Sequence, residues 1–233
     1  MRLHAASASI VAAAVTAAAT ILAAPPAGGA VVAAHDSVVA QAVGRVVHLY
    51  RSPSALAPYR TMRNPTRVGA PLVFLVKERI AGWERVYLPV RPNGSTAWVR
   101  DREVDLSLDP YRVVVSLSRH ELTVYDGSRV VHREPAGVGR SVLPTPTGTY
   151  YIVDLLAQPD PYGMYGPYAF GTSAFSNVLY SFGGGPGQIG IHGTNEPWAL
   201  GSNVSHGCIR ISNAGITLLA RMLPLGTPVL IRP

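Results

Sequence analysis

Apolar residues in this chain fall in short runs broken by turn formers, and only one segment repeats them at helical spacing. Arg45 to Tyr50, Pro71 to Val76, Arg112 to Leu117 and Glu121 to Tyr125 are β-rich runs, and Trp83 to Leu88 alternates with period two. Asp126-Gly127 is a hairpin turn leading into Arg129 to His132, and Pro92-Asn93-Gly94-Ser95 is a turn before Thr96 to Val99. Only Ile216, Leu219, Ala220 and Leu223 recur with the period of a helix, behind Ser212 as a cap and ahead of Pro224 as a stop. Such a chain folds mostly as β-structure, with a single C-terminal helix.

The runs divide into two groups. The first, residues 43–104, has the short-strand spacing of a small antiparallel barrel or sandwich. Its Gly82-Trp83-Glu84-Arg85-Val86, followed by Gly94-x-x-x-Trp98-Val99, resembles a bacterial SH3-like module. Asp105 to Pro110 reads as a linker, so the two groups are expected to fold separately. The second group, residues 110–233, adds a strand from Thr149 to Leu156 and another from Val178 to Phe182. Between them lies a Pro/Gly/Tyr-rich stretch, Ala157 to Ser176, that is either a lid over a pocket or a packed surface loop.

The N-terminus is different in kind. Arg2 precedes an uncharged run from Ser9 to Ala24, stopped by Pro25 and Pro26, which is the layout of a secretory signal peptide over residues 1–30. Residues 31–42, rich in Ala and Val, read as a spacer. The expectation is a protein exported to the periplasm or cell wall, touching membrane only through the leader before cleavage. The formal charge of +7 suits an anionic polymer. The arginines are scattered and no docking motif accompanies them, so nucleic acid is not an expected partner. The Gly183-Gly184-Gly185-Pro186-Gly187 loop lacks the Gly-Lys-Ser/Thr ending of a phosphate cradle, so no nucleotide cofactor is expected.

Among 233 residues there is one cysteine, Cys208, and hence no internal disulfide. A lone thiol is a liability in an oxidising compartment unless it acts. It lies in Ser205-His206-Gly207-Cys208-Ile209-Arg210, and an apolar strand ends nearby at Ile191-His192-Gly193-Thr194. An imidazole beside a thiol takes its proton or holds it as an ion pair, raising the reactive fraction. Gly207 leaves room for an acyl group, and the N–H groups of Gly207 and Cys208 are candidate oxyanion donors. Cys208, His192 and His206 could also ligate zinc, but the usual paired spacings are missing, and no metal is expected.

These segments resemble the L,D-transpeptidase catalytic domain (YkuD-like), whose signature is a His-Gly pair followed by Ser-His-Gly-Cys-(Ile/Val)-Arg. The likeness runs over residues 110–233 and includes Thr145-Pro146-Thr147-Gly148 before a strand. It implies a β-rich catalytic sandwich with Cys208 as nucleophile and His192 as base. The Gly193 carbonyl would orient the imidazole, Ser205 and His206 would shape the nucleophile loop, and Arg210 would bind a substrate carboxylate or fix that loop. The implied reaction is acyl transfer from a tetrapeptide stem of peptidoglycan, with release of D-alanine, to an amine on a second stem. With water as acceptor the same site is an L,D-carboxypeptidase. A wall-binding protein without catalysis is the reading of another class. A strained β-lactam of the carbapenem type is an expected inhibitor, since its ring presents an amide carbonyl to the thiolate.

Overall fold

The computed structural model describes residues 36–233, so the expected leader and the start of the expected spacer lie outside the described residues. The N-terminal portion is built from β1 (Ser37–Ala42), β2 (Val46–Leu49), β3 (Arg60–Arg63), β4 (Val73–Ile80), β5 (Trp83–Tyr87), β6 (Thr96–Arg100) and β7 (Val104–Asp109). Five of these make an antiparallel sheet ordered β6-β5-β4-β1-β7, and β2 pairs with β3. Ala40, Val47, Leu49, Phe74, Val86 and Val99 are fully buried between them.

The second portion continues with β8 (Tyr111–Ser116), β9 (Glu121–Asp126), β10 (Arg129–Pro135), β11 (Val138–Gly139), β12 (Gly148–Ala157), β13 (Tyr168–Phe175), β14 (Gln188–His192), β15 (Asn203–Ser205) and β16 (Ile209–Arg210). The helix α1 (Asn213–Met222) and the strand β17 (Pro228–Arg232) complete it. Its main sheet is ordered β10-β9-β8-β17-β12-β13-β14-β16, and β11 pairs with β15 beside it. The pairs β17–β8 and β14–β16 are parallel. Among the described residues the fold is thus mostly β with one α-helix.

The helix forms where its apolar period requires. The Ser212 hydroxyl accepts the Gly215 N–H at 2.9 Å, satisfying one orphan donor of the first turn. Ile216 and Leu219 then sit fully buried against Ile191, Ile209 and Phe170. Burying each of those side chains contributes about 1.5–3 kcal/mol. The helix therefore holds β14 and β16, the two strands that carry the site.

Three readings of the sequence are corrected. The segment taken as a spacer contributes β1, which lies between β4 and β7. Its alanines lower strand propensity, but packing on both sides overrides that weak preference. The segment taken as a linker is β7, paired with β1 from Val104 to Asp109. Its acidic residues suggest a loop, whereas Val104, Leu106 and Leu108 alternate as a strand does. Val178 to Phe182 is not a strand. Val178 and Tyr180 are exposed, and Phe182 bridges to Gly185 around Gly183 (φ +56°) and Gly184 (φ +80°). That positive-φ pair is a tight turn, which ends any strand.

The two portions are also not separate bodies, for the described residues form one compact unit. Val39, Val73 and Leu75 of the first share a buried cluster with Tyr151 and Val153 of the second. The Tyr151 hydroxyl donates to the Tyr87 carbonyl at 3.1 Å. Asn93 and Phe175 exchange two hydrogen bonds, of 2.7 and 2.9 Å. Arg91 donates to the carbonyls of Ser176, Leu179 and Pro186.

Candidate active site

The parallel pairing of β14 with β16 matches Ile191 to Ile209 and His192 to Arg210. One step back in that register, Cys208 lies beside Gly190, and the Gly190 N–H donates to the Cys208 sulfur at 3.4 Å. His192 is two residues beyond Gly190, so its side chain leaves the strand on the same face. A methyl group on Gly190 would lie 3.9 Å from His192 Cδ2 and 4.0 Å from Cys208 Sγ. Histidine and cysteine thus flank the bare backbone of one glycine. Both line a cleft of about 200 Å³, together with Tyr165, Phe170 and Phe182.

The orientation of the imidazole follows from its partner. His192 Nδ1 lies 2.6 Å from the Gly193 carbonyl. A carbonyl only accepts, so Nδ1 carries the proton and Nε2 keeps its lone pair. The ring is 4% exposed, and Tyr165 packs edge-on against it at 4.9 Å. Burial lowers the imidazole to about 4; the Gly193 bond opposes this and the Arg210 charge adds to it. Burial likewise raises the Cys208 thiol, against smaller lowering effects of the Gly190 N–H and the Arg210 charge. Both groups are therefore uncharged at neutral pH. The sequence left open whether the imidazole takes the thiol proton or holds it as an ion pair. These directions favour the first, a neutral pair in which the proton moves as the sulfur attacks.

The nucleophile loop is tied from below. Ser205, 1% exposed, donates to the Cys208 carbonyl at 2.5 Å and accepts the Gly207 N–H at 3.0 Å. That second bond corrects the expected oxyanion pair, since the Gly207 N–H is occupied and the Cys208 N–H alone remains. Gly207 has φ +119°, and a Cβ placed there would lie 3.0 Å from Ile189 Cδ1, so a side chain would be strained and crowded. Thr145 accepts the Gly139 N–H at 2.9 Å and donates to the Gly207 carbonyl at 2.8 Å, anchoring the turn from β11. Gly193 is closely approached by Gly166 and by the side-chain oxygen Oδ1 of Asn213, which also accepts the Thr194 N–H at 2.8 Å.

His206 points elsewhere. It is exposed, accepts from Arg140 at 2.8 Å, and stacks on Phe182 at 5.1 Å, supporting the wall of the cleft. Arg210 pairs with Glu196 at 2.6 Å, so its guanidinium fixes the loop carrying Glu196. Among the described residues no group of three or more His, Cys, Asp or Glu could hold a metal. The expected lid shrinks to residues 158–167, because β12 ends at Ala157 and β13 starts at Tyr168.

Sequence reasoning missed Gly190, Tyr165 and Glu196. For Gly190 a signal existed, a lone glycine between Ile189 and Ile191, which marks close approach to a strand. For the other two there was none, since their contacts come from pairing across strands and loops.

Comparison with known proteins gives concordant results. A model of the L,D-transpeptidase catalytic domain (YkuD) matches residues 110–231. A putative L,D-transpeptidase YkuD of Bacillus licheniformis is 39% identical over 124 residues, spanning 53% of this chain and 67% of the relative. Its Bacillus subtilis counterpart is 37% identical over 122 residues, spanning 52% and 66%. The chain thus spans about two thirds of the length of these curated relatives. Among solved structures, L,D-transpeptidase 3 from Mycobacterium tuberculosis, in complex with a faropenem-derived adduct, is 22% identical with a TM-score of 0.43. That match covers 62% of this chain and 76% of the neighbour.

Proposed function

This chain belongs to the L,D-transpeptidase catalytic domain family, and from that premise we propose that it cross-links peptidoglycan by cysteine acyl transfer. Cys208 Sγ attacks the carbonyl between the third residue and terminal D-alanine of a tetrapeptide stem, while His192 Nε2 takes the thiol proton. The C–N bond breaks, His192 returns the proton to the departing amine, and D-alanine leaves. A side-chain amine of a second stem then attacks the thioester and releases the cysteine. The observation that carries the reading is the Nδ1 bond to Gly193, which leaves Nε2 as a base on the face where Cys208 stands.

The neutral pair suits this chemistry. A thiolate held permanently in an oxidising compartment is open to oxidation, whereas a half-buried thiol shifted upward stays protonated until attack. The same attack opens a carbapenem-type ring and leaves the whole drug on Cys208. In the proposal the protein works outside the cytoplasm after removal of the leader, and its mature N-terminus falls between Pro25 and Asp36. The SH3-like reading of residues 43–104 rests on the Gly82-Trp83 and Trp98-Val99 motifs, and wall binding is the role proposed for that portion.

The test is to incubate cell wall with mature protein, digest it, and weigh the fragments. New dimers bridged between third residues, with loss of D-alanine, are the expected product. Trimming of stems without dimers would assign water as acceptor. Unchanged fragments would leave only the wall-binding reading.

A further inference from the structure

A row of residues crosses the second sheet through the site. Asp154 of β12 pairs with Gly171 of β13, and Gly171 pairs with Gly190 of β14. Cys208 lies beside Gly190 on the far side. The two central positions are glycine, so the floor between carboxylate and thiol is bare backbone. The Asp154 carboxylate fills the space a Gly171 side chain would take, with both oxygens within 2.6 Å of that Cβ position. Opposite positions on adjacent strands are about 5 Å apart, so the carboxylate stands about one strand away from the space beside the sulfur. Asp154 is 9% exposed and accepts the Gly171 N–H at 3.1 Å. No cation pairs with it among the described residues.

Asp154 also marks a junction. A second cavity of about 670 Å³ opens between the two portions of the chain. It shares Val68, Asp154, Pro186 and Gln188 with the cleft of Cys208. Its other wall carries Arg63 and Arg67, neither in an ion pair among the described residues. The Thr66 hydroxyl lies there too, buried with no hydrogen-bond partner.

We propose that this second cavity receives the acceptor stem, with its side-chain ammonium on Asp154 and its carboxylate on Arg63 and Arg67. The inference rests on the transpeptidase reading and extends it to the residues that choose an amine over water. An ammonium nitrogen sits about 3 Å from a carboxylate oxygen, which brings it to the edge of the acyl group on Cys208. The ammonium gives one proton to Asp154 and attacks the thioester carbon, forming C–N. The C–S bond breaks, and the second proton passes through His192 to the departing sulfur. One proton reaches solvent from Asp154, leaving an amide and a free thiol. Burial raises the Asp154 carboxyl, as suits a group that must accept a proton.

The test uses the full chain, a tetrapeptide donor, and an acceptor tripeptide with a free side-chain amine and a free C-terminal carboxylate. In Asp154→Asn, which keeps the acceptor for the Gly171 N–H, acylation by a carbapenem stays within about twofold of wild type. The ratio of amide product to hydrolysis product falls about tenfold or more, as expected for loss of a charge-assisted bond. Arg63→Ala with Arg67→Ala lowers that ratio for the free-acid acceptor and leaves it unchanged for the C-terminal amide. Binding is read separately with protein that cannot react. In a Cys208→Ala background, Asp154→Asn weakens the acceptor about tenfold. Unchanged binding and partition in Asp154→Asn overturn the proposal. So does slower acylation confined to amine-bearing donors, which assigns the carboxylate to the donor stem. Failure of the wild type to acylate at all contradicts the transpeptidase reading, and the binding arm still decides the cavity.

Discussion

Gly190 is the residue on which the site turns. Its missing side chain lets the substrate carbonyl approach sulfur and imidazole together. Gly190→Ala would set a methyl 4.0 Å from Sγ, 3.9 Å from His192 and 3.1 Å from the Phe170 carbonyl. We expect carbapenem acylation to slow by about tenfold or more through lost positioning, beyond a modest fall in melting temperature from the crowded Phe170 carbonyl. His192 gives a second prediction, read from stability. Its imidazole is at about 4 when folded and about 6.5 when unfolded. Between those values the unfolded chain binds the proton and the folded one does not, so stability is full above the upper value and declines as pH falls to the lower. The loss is about 3 kcal/mol. Glu84, Asp109 and Asp154 have carboxyls raised by burial, which favours the fold as pH falls. The readout is therefore the difference between wild type and His192→Gln in urea unfolding at pH 7 and pH 4. A difference that does not change with pH would contradict the buried neutral imidazole.

At the scale of elements, the turn between β15 and β16 depends on Thr145 reaching across from the end of β11. Thr145→Val leaves the Gly207 carbonyl and the Gly139 N–H unpaired in a buried place. We expect a loss of about 1–3 kcal/mol and a parallel fall in acylation rate, largely restored by Thr145→Ser; no loss in Thr145→Val would show that the hydroxyl bonds do not hold the turn. The same scale explains what the sequence discloses. Helix α1 was legible because a cap, a period and a stop agree within one local segment. Cys208 and His192 were legible because each lies in a compact motif. Strands β1 and β7 were not, because alanine and aspartate speak against strand locally while long-range pairing decides. Asp154 and Glu196 were not either, since nothing within a few residues reports a partner on another strand or loop. Whether the imidazole takes the thiol proton or holds it as an ion pair was not legible for a related reason, because burial is a property of the packed whole.

The described residues behave as one unit around a shared cluster. Tyr151 is fully buried there, against Val39, Val73 and Leu75. A chain beginning at Asp109 would expose it, together with Val153, and would lose the bonds from Arg91 and Asn93. We expect that shortened chain to melt at least several degrees lower and to bind a hydrophobic dye; equal melting temperatures would show that the halves are energetically independent. Acyl transfer through Cys208 is tested by weighing intact protein after mixing with a tetrapeptide stem. The expected result is a mass increment equal to the stem minus D-alanine, absent in Cys208→Ala and much slower to appear in His192→Ala. An increment that persists in Cys208→Ala, or D-alanine released by the wild type with no adduct on the cysteine at any time, would contradict it.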